Sequence, residues 1–516
     1  MRTFRPFAAA AAMFAFGLLC APIIARAQAP ATVPVSAYVA PDAAPAGQLE
    51  TIKISQGKLK GSIADGVGWF LGIPYAPPPV GDLRWRPPGA PPSWTGERDA
   101  TKAAPICSAQ EDCLYLNVLR PASAKRGRKL PVMVWIHGGA FVAGTSMGGY
   151  GGDTDGHEFA RKGIIAVSVN YRLGRAGWFA HPALTKEGHL HSNYGALDQI
   201  AALKWVKANI AQFGGDPNNV TIFGESAGGF GVLLLMTSPE AKGLFNKVIA
   251  ESSFARSLPI PLADAEASGR AVAEAAGVKG DDAAAAAALR ALPLSALPVP
   301  PRGTRGGRPY PILDGKIFPS TVMAAFEAGE EAKVPLIIGG NSNEASLTRP
   351  TPALLDAMPP EKRATILKVF DPQGTGNKAQ IINDFVTIQG VTEPDRAIVR
   401  LHTKNGAPAW TYYFSDVPAG LKARRLYGAV HTEELPFVFI SPKTVFGPED
   451  LALANAVNAY WAAFAKTSDP DSAGGVLWPI WTNDREGQIE FTADGPKMRE
   501  HFLKDWRDTA ESMVGK

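Results

Sequence analysis

The sequence predicts an α/β protein, with a mostly parallel central sheet covered by helices on both faces. Two observations carry this. First, short apolar β-rich runs alternate with stretches of helical periodicity, as in chains where helices cross between parallel strands. Second, one of those runs ends in Gly224-Glu225-Ser226-Ala227-Gly228, and an apolar helical stretch follows at once over 230–236. That is a strand, a sharp turn and a helix in immediate succession.

The elements follow in chain order. Residues 130–137 (LPVMVWIH), 164–170 (IIAVSVN), 220–223 and 248–250 read as buried strands. Between them, 195–213 places Leu197, Ile200, Leu203, Val206 and Ile210 at helical spacing. A helical zone over 263–292 contains the alanine run 283–288, and the Pro-, Gly- and Arg-rich stretch 298–308 breaks it as a loop. Strand patterns return at 334–340 and 410–414, and 451–465 reads as a final long helix. No repeat or linker divides the chain. We expect a single domain over 49–516, with helical excursions around 260–330 and 350–400.

Composition sets outer limits. The chain has 516 residues, 46% hydrophobic and 19% charged, enough to bury a large core. Residues 1–27 read as a secretory signal: Arg2 and Arg5, an apolar stretch over 7–19, then Ala25-Arg26-Ala27. Cleavage after Ala29 is the alternative, and Leu19 before Cys20 argues against a lipoprotein site. Residues 28–48 are Ala/Pro-rich and read as a flexible leader. The expected location is periplasmic or extracellular, with no stable membrane span. The formal charge of +4 falls to about +1 once Arg2, Arg5 and Arg26 leave with the signal. No nucleic-acid or anionic-membrane partner is expected from such a balance. The oligomeric state is not encoded in any visible pattern. Cys107 and Cys113 remain as an even pair in an exported chain, which favours a small disulfide loop. They lack the second pair that a zinc site requires, and His189-x-His191 supplies only two ligands, so no metal is expected.

The chemistry centres on Ser226. A serine on so tight a strand-to-helix turn exposes its hydroxyl, and Gly224 and Gly228 omit Cβ atoms that would clash there. A serine hydroxyl is a weak nucleophile that needs a base, and the base needs an orienting acid. Only His402, His431 and His501 follow Ser226.

Several spaced segments together resemble the type B carboxylesterases, the α/β-hydrolase family that includes para-nitrobenzyl esterases, carboxylesterases and cholinesterases. Leu71-Gly72-Ile73-Pro74-Tyr75 with Leu83-Arg84-Trp85, the segment Glu111-Asp112-Cys113-Leu114-Tyr115-Leu116-Asn117, and Asn170-Tyr171-Arg172-Leu173 all match family signatures. His137-Gly138-Gly139-Ala140-Phe141 matches the family's oxyanion loop. The resemblance runs from about residue 50 to the end. It implies an α/β-hydrolase fold and ester hydrolysis through an acyl-enzyme, with a small ester and water as the only partners and no cofactor. It assigns Ser226 as nucleophile, Glu344 as acid and His431 as base. The backbone N–H groups of Gly139, Ala140 and Ala227 would form the oxyanion hole, with Gly138 and Glu225 in support. Asn343, Ala345 and Thr432 depart from the family pattern next to the acid and base. Glu434 reads as a structural carboxylate beside the base, Arg84–Glu111 and Arg172–Asp198 as structural ion pairs, and His402 and His501 as surface residues. The rivals are an amidase, lactonase or more specialised esterase on the same triad, or a non-catalytic cholinesterase-like binding module. The short interval between Cys107 and Cys113 implies a more open gorge mouth than in the cholinesterase branch.

Overall fold

A computed structural model describes residues 43–149, 152–298, 306–440 and 447–514. The expected signal, residues 1–27, and the leader up to residue 42 lie outside the described residues, as does most of the 298–308 loop. The leader's last residues are held in place: Ala44 N–H donates to Thr101 O at 2.7 Å, and Ala43 bridges Lys102.

The core is one 13-stranded sheet. Its strands are β1 Gln48–Ile54, β2 Gly57–Ala64, β3 Val67–Pro74, β4 Glu97–Asp99, β5 Tyr115–Pro121, β6 Leu130–Ile136, β7 Ile165–Val169, β8 Gly215–Glu225, β9 Lys247–Glu251, β10 Leu336–Asn341, β11 Ala409–Phe414, β12 Gln488–Thr492 and β13 Gly495–Arg499. The spatial order is β1-β2-β3-β5-β7-β6-β8-β9-β10-β11-β12-β13, with β4 beside β2. The run from β7 to β12 is parallel throughout. Both flanks are antiparallel apart from the short β4, which runs parallel to β2. The parallel strands are buried along nearly their whole length because helices cover both faces, which is why they read as continuous apolar runs. This is the α/β-hydrolase fold, an open sheet.

The expected elements appear with shifted ends. The 195–213 pattern is helix α1 Tyr194–Asn209 followed by a 3-10 turn. The elbow helix is α2 Ala227–Thr237. The 263–292 zone is two helices, α3 Leu262–Ala275 and α4 Ala283–Ala291. The expected last helix spans Pro448–Thr467, and the β12–β13 hairpin and helix Lys504–Ser512 follow it. No helix among the described residues is long and apolar enough to cross a membrane. Cys107 and Cys113 are joined by a disulfide. Arg84 pairs with Glu111, and Arg172 with Asp198, both at hydrogen-bonding distance.

Candidate active site

Ser226 caps α2 just beyond the C-terminal end of β8, with φ 57° and ψ −120°, a left-handed conformation that costs a non-glycine residue energy. Its neighbours show what holds it there. A Cβ on Gly228 would lie 2.0 Å from Ile136 O, and one on Gly224 would lie 2.6 Å from the same oxygen. Only glycine lets β8 and α2 press this closely on the end of β6. The Ser226 N–H donates to Glu251 O at 2.9 Å, tying the turn to β9.

The loop after β6 faces the elbow. A Cβ on Gly138 would stand 3.1 Å from Ser226 Cβ, so the loop passes directly beside the serine. Gly139, Ala140 and Phe141 take successive positive φ values of 101°, 53° and 63°. That curl leaves the Gly139 and Ala140 N–H groups without a protein acceptor among the described residues. Ala227 opens α2, where the first N–H groups have no intrahelical partner. His137 anchors the loop: Tyr171 OH donates to its carbonyl at 2.7 Å, and the two rings stack at 4.5 Å. Burial pushes the His137 imidazole down to about 4, so it stays neutral.

Glu344 lies just beyond the end of β10, at the head of a 3-10 turn. Its Oε1 accepts from the Asn341 N–H at 2.8 Å and from Ser252 Oγ at 2.5 Å. Its Oε2 lies 2.6 Å from His431 Nδ1. His431 is fixed in turn by its own N–H donating to Ser346 Oγ at 3.0 Å. The three departures from the family pattern resolve physically. Ala345 has no positive φ, so its turn does not require glycine. Asn343 forms a backbone bridge to Val430. Thr432 adopts φ 74° and carries the left-handed strain that glycine would avoid.

The structure thus brings Ser226, Glu344, His431 and the loop 138–140 to one end of the sheet. It also adds residues the sequence did not single out. Ser252, at the end of β9, and Ser346 each hold one member of the Glu344–His431 pair. Nothing in their local sequence marks them, since the contacts arise only when β9 and β10 lie side by side. Glu225, expected in a supporting role, reaches the base: its Oε1 lies 3.0 Å from His431 Nε2. His431 therefore sits between two carboxylates. Burial opposes its charge, but Glu225 and Glu344 together lift its pKa to about 10. Glu434 is buried behind them; burial and the charge of Glu344 raise it to about 7, and Asn341 donates to it. Phe254, edge-on to the imidazole at 5.6 Å, forms one wall. Phe141, Phe230 and Tyr310 pack together in the core beside the loop 138–140.

His402 corrects an expectation. It is fully buried rather than on the surface, with Nδ1 3.0 Å from Glu331 and Nε2 2.8 Å from Val334 O. It falls three and four residues after Val399 and Ile398, on the buried stripe of helix Glu393–Lys404. His501 is exposed as expected. Among the described residues no cluster of three His, Cys, Asp or Glu side chains could hold a metal ion.

Comparison with known proteins now decides the class. A profile of the Carboxylesterase family matches residues 48–506. The chain belongs to the carboxylesterase family. It is 35% identical to fumonisin B1 esterase of Sphingopyxis macrogoltabida over 504 residues, covering 89% of each chain. Carboxylesterase 1D of Rattus norvegicus is 32% identical, over 83% of this chain and 86% of that one. A carboxylesterase structure from Geobacillus stearothermophilus superposes with a TM-score of 0.76 at 32% identity, over 89% of this chain and 99% of that one. A PNB esterase structure gives 0.75 at 31%, with the same coverage. Like these family members, the protein is a carboxylic ester hydrolase.

Proposed function

We propose that this carboxylesterase works through a Ser226–His431–Glu344 triad. The observation that carries the reading is the 2.6 Å contact between His431 Nδ1 and Glu344 Oε2, beside a serine held on a strained elbow. Glu344 keeps the proton on Nδ1 and stabilises the imidazolium. Nε2 is then the atom that takes the Ser226 proton as Oγ attacks the ester carbonyl. The tetrahedral oxyanion is met by the N–H groups of Gly139, Ala140 and Ala227. Each such donor is worth roughly 3–4 kcal/mol of barrier. The imidazolium next protonates the leaving alcohol, and water, deprotonated by His431, releases the acid.

Glu225 sets the terms on which His431 acts. In the resting arrangement its carboxylate lies 3.0 Å from Nε2 without hydrogen-bonding to it, and its charge favours the imidazolium, which must lose its proton before it can serve as base. The aromatic face that Phe254 sets against His431 suits esters with an apolar acyl or alcohol part. The N-terminal signal directs the enzyme out of the cytoplasm, a reading supported by its charge and apolar pattern. The relatives named for fumonisin B1 and for simple carboxylic esters bracket the substrate class without choosing within it.

Hydrolysis of 4-nitrophenyl esters from acetate to decanoate, by mature protein and by Ser226→Ala, tests the triad. The expected result is chain-length-dependent turnover that falls by roughly 10⁵–10⁶-fold in the variant. Turnover that survives the substitution would sink the assignment.

A further inference from the structure

One helix beside the Glu344 turn carries an irregular turn of its own. Lys378–Thr387 leads into Ile388–Thr392, a π turn, and Glu393–Lys404 continues it. In the π turn the Glu393 N–H donates five residues back, to Ile388 O. Pro394 is the cause. It has no N–H to offer the carbonyl four residues back, that of Gly390, and its ring would collide with that carbonyl. One extra residue in the turn absorbs the misfit, and such turns gather at functional sites.

Two contacts pin this turn against the Glu344 turn. The Ala345 N–H donates to Thr387 Oγ1 at 3.1 Å. Val391 presses on β10 so closely that a Cβ on Gly340 would lie 2.5 Å from its Cγ1 and 3.0 Å from Glu344 Oε1. Gly390 stands between the pins and is half-buried. Its φ lies outside the left-handed region, so the backbone there accepts a side chain without strain. Its surroundings accept one too: among the described residues, a Cβ at Gly390 would touch only the Phe254 ring, at 3.7 Å. Glycine inside a helix is less stable than alanine, because the unfolded chain gains more freedom. Neither backbone nor packing requires glycine here, so the missing side chain leaves open space.

That space lies beside the base. The half-buried Phe254 ring that borders it stands edge-on to His431, with 5.6 Å between centroids. We propose that Gly390 sets the size limit of the substrate, its missing side chain leaving room along Phe254 for an apolar chain of the ester. That chain belongs either to the acyl part or to the alcohol part. The inference rests on the triad reading, which makes the space beside His431 a substrate space. Each methylene buried there favours the longer ester by about fourfold. A leucine side chain that takes the room of two methylenes therefore costs the longer ester about tenfold or more against acetate.

The test compares the mature parent with Gly390→Leu and Gly390→Ala on two ester series. 4-Nitrophenyl acetate and octanoate vary the acyl chain; ethyl and octyl acetate vary the alcohol. The readout is the long-to-short ratio of kcat/KM, which a general loss of folded enzyme does not move. Gly390→Leu should lower that ratio about tenfold, and at least fivefold, in one series or both, and the series that responds names the chain. A ratio lowered less than fivefold in both series overturns the proposal. So does a parent that cuts the acetates but neither long ester, since it has no such room. The melting temperature of Gly390→Ala should equal or exceed the parent's; a lower one shows a packed position and overturns the proposal as well. Should Gly390→Leu not fold, the same ratio in Gly390→Ala decides, with a twofold fall as the dividing line. Failure of the triad reading shows separately, as turnover that survives Ser226→Ala.

Discussion

The two turns that carry Ser226 and Glu344 solve the same problem by opposite means. Each must hold one side chain at the end of a parallel strand. At Ser226 the backbone does the holding: a left-handed serine between glycines, with β6 pressed so close that no Cβ fits. At Glu344 the backbone is unstrained, and hydrogen bonds do the holding, from Asn341 N–H and Ser252 Oγ to one carboxylate oxygen. The difference suits the chemistry. A nucleophile must be exposed and rigid, which a strained backbone provides. An orienting acid must stay ionised and aimed, which donors provide. Steric placement should therefore tolerate no substitution at the elbow, while placement by donors should weaken gradually as donors are removed.

Substitutions can test that contrast. The largest expected effect is from Glu344→Gln, which keeps the shape but loses the charge that selects the Nδ1–H tautomer. Its kcat should fall by about 10⁴-fold, or about 5 kcal/mol, read by steady-state hydrolysis of 4-nitrophenyl butyrate. A loss under tenfold would remove Glu344 from the triad. Next comes Gly228→Ala, whose added methyl meets Ile136 O at 2.0 Å. The elbow must shift, and a stability loss of roughly 3 kcal/mol or more is expected in urea unfolding, together with lost activity. A silent Gly228→Ala would show that the elbow is not held by contact. Ser252→Ala removes one donor of several, so kcat should drop only about tenfold with stability changed by about 1–2 kcal/mol. Thr432→Gly should leave stability equal or slightly higher. It relieves a left-handed cost of about 1–2 kcal/mol against an added unfolded-state entropy of about 0.5–1 kcal/mol. A clear fall in melting temperature would contradict that.

The finest probe is the pH profile of Glu225→Gln. In the parent, the Glu225 charge favours imidazolium, so His431 becomes an active base only as pH rises through its elevated pKa. Removing the charge lowers that pKa, and the rising limb of kcat/KM against pH should move to lower pH. A limb that stays in place, or moves upward, would show that Glu225 does not face Nε2 in solution.

How much of this was legible depended on whether the signal was local. The elbow was readable because its glycines answer to backbone constraints that show in the sequence, and the oxyanion loop, acid and base through segments that resemble family signatures. The parallel strands β6 to β11 were readable because burial on both faces makes them continuously apolar, whereas β12, with Gln488 and Glu490 in its short run, was not. The antiparallel strands β1 and β2 were not, since residues 48–64 mix exposed lysines with buried positions and give no clean run. Ser252 and Ser346 stayed hidden because their contacts join separate segments of the chain, not neighbours within one, whereas Glu225 was placed in support of the base by its position next to the nucleophile. His402 was misplaced for the opposite reason: a polar residue on a buried helical stripe looks like a surface residue until Glu331 and Val334 O are seen to satisfy both ring nitrogens.

The parallel register of β8, β9, β10 and β11 has a wider consequence. Ser226, Ser252 and Glu344 each follow the end of a strand, and His431 comes from the loop after a fourth, so the reactive centre is fixed by four neighbouring ends. The long helical segments between those strands can lengthen, shorten or change character while the ends remain in register. Chemistry and selectivity are therefore separately heritable in this architecture: one sheet edge can keep its reaction while the intervening segments acquire new substrates.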